Sequence, residues 1–329
     1  MKNLKNKIKR YVPIGISTKV KELQQWKKVD KSEAQYTFLR NEYGDIVKNY
    51  YLCDVNFGLD YSSTQGRIPR YIYWDRARYT LQNHFYVDDM LFVNKGKPQK
   101  KFGILLEPQT LQPQLYKSIL REKRYFENEY DTIFTHSNCV LDSLTNAKPI
   151  IMGGVYVGTE YGGGMMSSNQ YRYKKKNISI VSSDKMMCEL HRFRYAIANK
   201  YNNSQDVDCF GTFNGKFVKI WESLAEYRYS FAIENCIEDY WITERICNCF
   251  ASMTIPIYMG SPRIGDFFNL DGIIVIEKRD LEYIDEVIKK CNEKDYEQRL
   301  PAILDNYNRV QNYLCMEDWL YREYRKDLP

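Results

Sequence analysis

Apolar and polar positions follow two alternating patterns along this chain. Short apolar runs bounded by turn residues predict buried strands at Phe102–Leu106, Tyr130–Thr135, Pro149–Met152, Ile178–Ser182, Val207–Phe210, Ser230–Asn235, Thr254–Met259 and Gly272–Ile276. Helical periodicity predicts helices at Leu115–Phe126, Cys188–Lys200, Asp280–Lys290, Tyr296–Asp305 and Val310–Arg325. Strands that alternate with helices are typical of an α/β fold with parallel sheets.

The spacing of these elements favours two domains. A chain of 329 residues is long for a single hydrophobic core and suits two domains of about 150 residues each. We expect an N-terminal domain over 1–165, which opens with a basic tail at 1–28, and a C-terminal domain over 177–329. The intervening linker, 166–176, joins a glycine- and serine-rich stretch to a basic run. Residues 30–93 are rich in tyrosine and give no clear pattern.

One helix of the second half begins with charged residues. Its apolar residues recur on one face at i, i+4, i+7, i+8 and i+11: Ile242, Ile246, Cys249, Phe250 and Met253. Thr243 is the predicted N-cap, which places Glu244 and Arg245 in the first turn, beside the carboxyl end of the preceding strand. Open α/β sheets bind ligands at that edge, and helix N-termini favour anions. From spacing alone, an ordinary βαβ unit with solvated charges explains the pattern equally well.

Four ordered segments carry a family resemblance. They read Tyr227-Arg228-Tyr229, Ile233-Glu234-Asn235, Trp241-Ile242-Thr243-Glu244-Arg245 and Ile255-Pro256-Ile257-Tyr258-Met259-Gly260. Their order and content resemble the donor-site signature of the family 10 glycosyltransferases, the α-1,3/4-fucosyltransferases, in a bacterial form. Two positions depart from it, since Trp241 replaces the usual tyrosine and Arg245 the usual lysine. Arginine and lysine are not interchangeable at a phosphate.

Weaker similarity extends beyond the signature. The segment from Val181 to Tyr195 resembles the family's stretch with a donor-binding arginine, for which Arg194 is favoured and Arg192 is the alternative. Val207–Gly211 resembles a further family strand. Glu107, at the end of a predicted strand, matches the position of the family's catalytic glutamate.

The resemblance implies a fold and a reaction. The fold would be GT-B, with two Rossmann-like domains facing across a cleft and C-terminal helices. The reaction would be inverting transfer of fucose from GDP-fucose to a galactose- or N-acetylglucosamine-containing surface glycan such as a lipopolysaccharide, with an α-1,3 linkage. A transferase of the same fold that uses another GDP-sugar is the alternative within enzymes. A non-catalytic glycan- or nucleotide-binding protein is the alternative from another class.

Residue types assign roles within that reaction. Glu107 would act as the base, because burial behind an apolar run raises a carboxyl pKa, although a strand-end cap or a structural ion pair also explains it. Arg194 and Arg245 would stabilise the leaving diphosphate in place of a metal.

The remaining signature residues would contact the donor. Glu244 would accept hydrogen bonds from ribose or fucose hydroxyls, and Asn235 would orient phosphate or sugar. Trp241 offers a flat wall for a sugar or nucleotide, although core packing also explains it. Glu234 would either hold the loop or act on the sugar.

Metal ligation is disfavoured by the sequence. Asp206-Val207-Asp208 spells a manganese motif of another glycosyltransferase fold, but it leads into a strand away from the donor signature. Asp88-Asp89 suggests a solvated pair, and the scattered His84, His136 and His191 suggest structural roles. We therefore expect neither an obligatory metal nor another cofactor.

The charge and hydropathy of the chain limit the kinds of partner that it could bind. The net charge is +6. Within residues 1–28, every charged side chain is basic except that of Glu22. This tail either is solvated or rests on anionic lipid. No nucleic-acid-binding module is recognisable. The chain has nine cysteines without a regular framework and no apolar run of about 18 residues, which favours a cytoplasmic protein. Its contact with the membrane would be peripheral, at the inner face. The acceptor would be an oligosaccharide or glycolipid.

Overall fold

The chain forms two α/β units. The computed structural model describes residues 20, 47–54, 63, 69–158 and 164–329. Within these residues, one unit runs to Ile150 and also takes in Leu320–Pro329, and the other comprises Ile151–Trp319. Each unit is built on one parallel sheet, which confirms the predicted α/β class with two parallel-sheet domains. The basic tail at 1–28, except residue 20, lies outside the described residues.

The first unit holds a six-stranded parallel sheet in the order β2-β1-β3-β4-β5-β6. Its strands are β1 Lys48–Cys53, β2 Ile72–Asp75, β3 Asn83–Val87, β4 Lys100–Leu105, β5 Thr132–Thr135 and β6 Ala147–Pro149. Its helices are α1 Pro113–Arg121, α2 Lys123–Glu129 and α3 Asn138–Leu141. A 3-10 helix, Asp88–Phe92, follows β3.

Aromatic and aliphatic side chains fill the core of this unit. From Lys101 to Leu105, β4 is buried at every position, as expected for a parallel strand covered on both faces. Helix α1 begins with Pro113, which lacks the N–H that the first helical turn leaves unpaired. The α1 residues Leu115, Tyr116 and Ile119 pack into the core.

The end of the chain packs within the first unit. The Tyr324 hydroxyl donates to the carbonyl oxygen of Pro149 at 2.7 Å, and Lys148 pairs with Asp327 at 2.8 Å. The Tyr50 hydroxyl donates to the carbonyl oxygen of Pro329 at 3.0 Å. Residues 320–329 therefore belong to the first unit.

The second unit holds a five-stranded parallel sheet in the order β11-β10-β9-β7-β8. Its strands are β7 Lys176–Val181, β8 Val207–Phe210, β9 Tyr227–Ile233, β10 Ile255–Met259 and β11 Ile274–Val275. Its helices are α4 Glu189–Tyr201, α5 Glu244–Ala251, α6 Ile264–Phe267, α7 Leu281–Lys290 and α8 Glu293–Arg309, and α9 Met316–Tyr324 follows across the division. Short 3-10 helices occur at Ser168–Tyr173, Ile220–Ser223, Leu270–Gly272 and Val310–Tyr313.

Local structure departs from several of the sequence patterns. The helix predicted at 310–325 is a 3-10 helix at Val310–Tyr313 followed by α9 at Met316–Tyr324. The helix predicted at 115–126 is two helices that meet at Glu122. The strand predicted at 149–152 lies earlier, at Ala147–Pro149. The predicted linker 166–176 holds the 3-10 helix Ser168–Tyr173 and the first residue of β7, and the Gln170 amide donates to the carbonyl oxygen of Ala225 at 2.9 Å. Part of the glycine-rich stretch, 159–163, lies outside the described residues.

All nine cysteines are free thiols. Eight are buried, and Cys139 is partly exposed. Burial raises the pKa of Cys209 to about 11 and that of Cys249 to about 12. Among the described residues, no helix has both the length and the apolar character needed to cross a bilayer.

Candidate functional site

Two arginines meet at the carboxyl end of β9. The Arg194 guanidinium, from α4, donates to the carbonyl oxygen of Ile233 at 2.6 Å. Arg245 Nε, from the first turn of α5, donates to the same oxygen at 3.2 Å. Arg194 is 6% exposed, and the Arg245 side chain is 28% exposed. Two fixed cations therefore lie at the sheet edge where α/β folds bind ligands.

Glu234 and Thr243 fix the start of α5. The Thr243 hydroxyl lies 2.8 Å and 3.0 Å from the two carboxylate oxygens of Glu234. The backbone N–H of Thr243 donates to the same carboxylate at 3.2 Å. The Thr243 hydroxyl also accepts from Arg245 N at 3.3 Å, so the predicted N-cap is confirmed. Glu234 is 1% exposed and holds the loop from inside.

A glycine allows the next strand to pass close to Glu234. A Cβ atom at Gly260 would lie 2.5 Å from Glu234 Cγ and 2.3 Å from the Tyr258 hydroxyl. No side chain fits at that distance, so the glycine of the signature is required by close approach. The Tyr258 hydroxyl in turn accepts from Ser261 N at 2.8 Å.

Burial and charge shift the ionisable groups of this site. Burial, together with the neighbouring Arg245, lowers the pKa of Arg194 to about 10. Burial raises the pKa of Glu234 to about 7, although Arg245 opposes that shift. Two guanidinium groups held close together, with Glu234 shifted toward its neutral form, favour the binding of an anion.

The other signature residues surround the two arginines. Glu244 accepts a hydrogen bond from Arg245 Nη1 at 3.0 Å, and the Glu244 side chain is 36% exposed. Asn235, next after Glu234, is half-buried. Trp241 is 5% exposed, which favours core packing over a sugar-facing wall. Arg192, the alternative to Arg194, is exposed and donates to the carbonyl oxygen of Met186 at 3.3 Å.

Sequence reasoning assigned His191 only a structural role. Its Nε2 atom lies 2.9 Å from Oδ1 of Asn235, and the residue is 3% exposed. Burial, with the positive charges of Arg194 and Arg245, lowers the pKa of His191 to about 4. Its position three residues before Arg194 on a helix was the available signal, because residues i and i+3 share a face.

Glu107 belongs to the other unit and follows β4. Its backbone N–H and that of Leu106 donate to Asp88 Oδ1 at 3.4 Å and 2.8 Å. Its carbonyl oxygen accepts from the Tyr116 hydroxyl at 2.9 Å. The Glu107 side chain is half-buried, and the backbone that carries it is fixed from two sides.

The acidic pair Asp88-Asp89 is not solvated, which corrects the expectation from sequence. Asp88 is fully buried and Asp89 is 6% exposed. The Asp88 carboxylate accepts backbone N–H groups and, at 3.2 Å, the Gln112 amide. Its backbone has a φ of 52°, a left-handed conformation in which aspartate is enriched among non-glycine residues. Buried hydrogen bonds compensate for the buried charge.

The motif Asp206-Val207-Asp208 is engaged by neighbours. Asp206 accepts from the Ser204 hydroxyl at 2.9 Å, and Asp208 accepts from the Tyr227 hydroxyl at 2.7 Å. Among the residues that the structure describes, no group of three or more histidine, cysteine, aspartate or glutamate side chains could hold a metal ion. Metal independence stays a prediction.

The segment with the two arginines matches a known family. Residues 171–287 match the family model described as the C-terminal part of glycosyltransferase family 10 (fucosyltransferase). This segment is similar to family 10 domains. The predicted resemblance is thereby confirmed, and the matched range contains all eight residues predicted to contact the donor, from Arg192 to Arg245. Glu107 lies outside the matched range.

Curated relatives carry fucosyltransferase names. A fucosyltransferase-like protein of Arabidopsis thaliana is 26% identical over 188 residues, which is 53% of this chain and 33% of that protein. The α-(1,3)-fucosyltransferase FucT of Helicobacter pylori is 34% identical over 67 residues, which is 20% of this chain and 14% of that protein. The alignments therefore span a third or less of these relatives.

Solved structures are also similar to this chain. A crystal structure of an α1,3-fucosyltransferase with GDP has a TM-score of 0.48 and 15% identity, covering 87% of this chain and 94% of that one. A crystal structure of TarM has a TM-score of 0.47 and 9% identity, covering 74% of this chain and 54% of that one.

Proposed function

We propose that this protein is a glycosyltransferase that transfers fucose from GDP-fucose, with inversion, to a hydroxyl group of a galactose- or N-acetylglucosamine-containing surface glycan through an α-1,3 linkage. The acceptor would be an oligosaccharide or a glycolipid. The enzyme would work in the cytoplasm, with the basic residues 1–28 at the inner face of the membrane.

The observation that carries this proposal is the pair of arginines on one carbonyl oxygen inside the segment that matches family 10. A guanidinium has five N–H donors, and the described contacts use one donor of Arg194 and two of Arg245. The remaining donors are available to phosphate oxygens. Because Arg245 is more exposed than Arg194, Arg245 would contact the diphosphate directly while the buried Arg194 adds its charge.

The helix that carries Arg245 supports an anionic ligand. A cation in the first turn of a helix is unfavourable, because the N-terminus of the helix already carries partial positive charge. A bound diphosphate would compensate both charges at once. Glu244, beside Arg245, would accept hydrogen bonds from ribose or fucose hydroxyls.

The reaction needs one proton acceptor. The acceptor hydroxyl oxygen attacks the anomeric carbon of fucose, and the bond from that carbon to the diphosphate oxygen breaks. GDP leaves with the bonding electron pair, and the hydroxyl proton passes to the Glu107 carboxylate. Guanidinium groups stabilise the charge that develops on the leaving oxygen, so the chain's own cations take the place of a metal.

A ligand panel read by thermal unfolding tests the donor. GDP and GDP-fucose should raise the melting temperature more than UDP and UDP-galactose do. A ligand present at 100 times its Kd stabilises the fold by about 2.7 kcal/mol, which is readily measured. The same panel, followed by incubation with galactose- and N-acetylglucosamine-terminated acceptors, would show transfer as release of GDP.

The outcomes separate the alternatives. GDP-mannose is added to the panel, and stabilisation by GDP-mannose above that by GDP-fucose would assign another GDP-sugar as the donor. Stabilisation by GDP-fucose without transfer to any acceptor would favour a non-catalytic binding protein. Equal or greater stabilisation by UDP compounds would contradict the fucosyltransferase proposal.

A further inference from the structure

A buried histidine contacts the donor side of the segment that matches family 10. His191 lies on α4, one helical turn before Arg194, and its Nε2 atom is 2.9 Å from Oδ1 of Asn235. Asn235 follows the β9 strand end where the two arginines meet. The two residues are 44 positions apart in the chain, so the pair links two elements of the second unit.

The side-chain oxygen of Asn235 faces His191, and this sets the direction of the hydrogen bond. An amide oxygen only accepts, so Nε2 of His191 carries the hydrogen and donates. The NH2 group of Asn235 then points away from His191, and among the described residues no protein acceptor engages it. A half-buried amide with its donors free suits a ligand rich in oxygen acceptors, such as a diphosphate or a sugar.

The alternative orientation would be unfavourable for such a ligand. An amide turned by 180° exchanges its oxygen and nitrogen, and would present a carbonyl oxygen to the anionic donor. The His191 side chain is uncharged at neutral pH, because burial and the charges of Arg194 and Arg245 lower its pKa to about 4. It therefore orients Asn235 without adding a third positive charge to the pair of arginines.

We propose that His191 is a positioning residue for donor binding: its Nε2–H holds the side-chain oxygen of Asn235, so that the Asn235 NH2 group is presented to an oxygen acceptor of the nucleotide-sugar. This inference rests on the proposed function, and it assigns a role to a residue outside the family signature.

Binding measurements on a double-mutant cycle test it. His191→Leu should weaken the binding of GDP-fucose about tenfold, because the Asn235 amide loses its fixed orientation, and should raise KM more than it lowers kcat. His191→Gln, whose amide can still donate to Asn235, should stay within about threefold of the wild type. In an Asn235→Ala background, His191→Leu should add no further loss.

The same double-mutant cycle also shows which results would contradict the inference. If His191→Leu weakens binding equally with and without Asn235, His191 does not act through Asn235 and the inference is wrong. The same holds if His191→Leu binds as tightly as the wild type. If the wild type itself binds no GDP compound, the proposed function fails instead, which is a different result.

A second measurement needs no folded variant at position 191. The chain has three histidines, so 15N-labelling at histidine gives a simple nitrogen spectrum. We expect the His191 signals at neutral pH to be those of the neutral Nε2–H form, assigned with the His191→Gln variant or, if that variant does not fold, by their contacts with Asn235. A hydrogen on Nδ1 alone would overturn the proposed direction of the hydrogen bond.

Discussion

Arg194 and Arg245 donate hydrogen bonds to one acceptor, the carbonyl oxygen of Ile233. Each comes from a different helix, and β9 supplies the acceptor. A carbonyl oxygen with two lone pairs accommodates both donors, but it does not neutralise two positive charges. The pair therefore leaves a positive potential at the carboxyl end of the sheet, and this potential governs the first prediction.

Loss of either arginine should reduce turnover. Arg245→Ala and Arg194→Ala should each lower kcat by about 10²–10³, since removing one preorganised donor to developing charge costs about 2.7–4 kcal/mol. Arg245→Lys, which restores the family's usual residue, should keep much of the activity. Steady-state release of GDP measures these rates.

A matched control exists on α8. Arg309 is an exposed arginine paired with Asp305 at 3.0 Å, and Arg309→Ala should leave turnover unchanged. Melting temperatures of all variants separate loss of fold from loss of chemistry, which matters most for the buried Arg194. Wild-type turnover by Arg245→Ala would show that the assignment of this position is wrong.

Glu107→Gln tests the proposed base. The change keeps the shape of the side chain and removes the proton acceptor, so transfer should fall by about 10²–10⁴ while GDP binding stays within a few-fold. The wild-type rate should also fall at low pH as the carboxylate becomes protonated. Kinetics at several pH values and calorimetric titration with GDP provide the two measurements.

Glu127→Gln serves as the comparison, because Glu127 is a partly exposed residue of α2 that accepts hydrogen bonds from Thr145. It should leave transfer unaltered. Normal transfer by Glu107→Gln would make Glu107 a structural residue and place the base elsewhere. Simultaneous loss of GDP binding would indicate misfolding of the variant. The melting temperature is therefore measured as well, and an unchanged value excludes misfolding.

Activity should not depend on a divalent ion. Positive charge at the diphosphate comes from Arg194 and Arg245, so transfer should survive EDTA with at most modest stimulation by added ions. Rates before and after exhaustive chelation check this prediction. Complete loss of activity that manganese restores would revive Asp206 and Asp208 as ligands and would contradict the proposed mechanism.

The buried Glu234 should make stability depend on pH. Its pKa of about 7 lies above the ordinary value of 4.5, so the folded state retains a proton that the unfolded chain releases. The free energy of unfolding should therefore fall as pH rises from about 4.5 to about 7. In Glu234→Gln this contribution is absent, and the variant should gain about 3 kcal/mol relative to the wild type across that range.

Urea unfolding at pH 4.5, 5.5, 6.5 and 7.5 measures the difference between the two proteins. Comparing the two proteins cancels the opposite contribution of the three histidines, whose pKa values are all lowered: His84, His136 and His191. Glu297→Gln, an exposed change on α8, should follow the wild-type profile. A difference in the free energy of unfolding between Glu234→Gln and the wild type that stays constant with pH would show that Glu234 is ionised throughout this range.

Local rules predict much of the second unit. The apolar run of β10 is continuous because a parallel strand is buried on both faces, and the cap at Thr243 follows from its position before the helical pattern. The junction at Glu122 carries neither proline nor glycine, so nothing local indicates that α1 ends there.

Buried tyrosines explain why the first strands give no clear hydropathy pattern in the sequence. Tyr50 and Tyr86 are buried, and their hydroxyl groups donate to the carbonyl oxygens of Pro329 and Lys95. A residue that is apolar along its ring and polar at its tip fits neither hydropathy pattern. The roles of Asp88 and His191 depend on partners distant in sequence, which periodicity along the chain cannot reveal.

The cysteine inventory has a practical consequence for spectroscopy. Of the nine thiols, only Cys139 is partly exposed, and it donates to the side chain of Gln109, two residues beyond Glu107. A maleimide dye applied to the folded protein would therefore attach at one place without any cysteine being removed. Its fluorescence would follow the surroundings of the Glu107 loop as donor and acceptor are added.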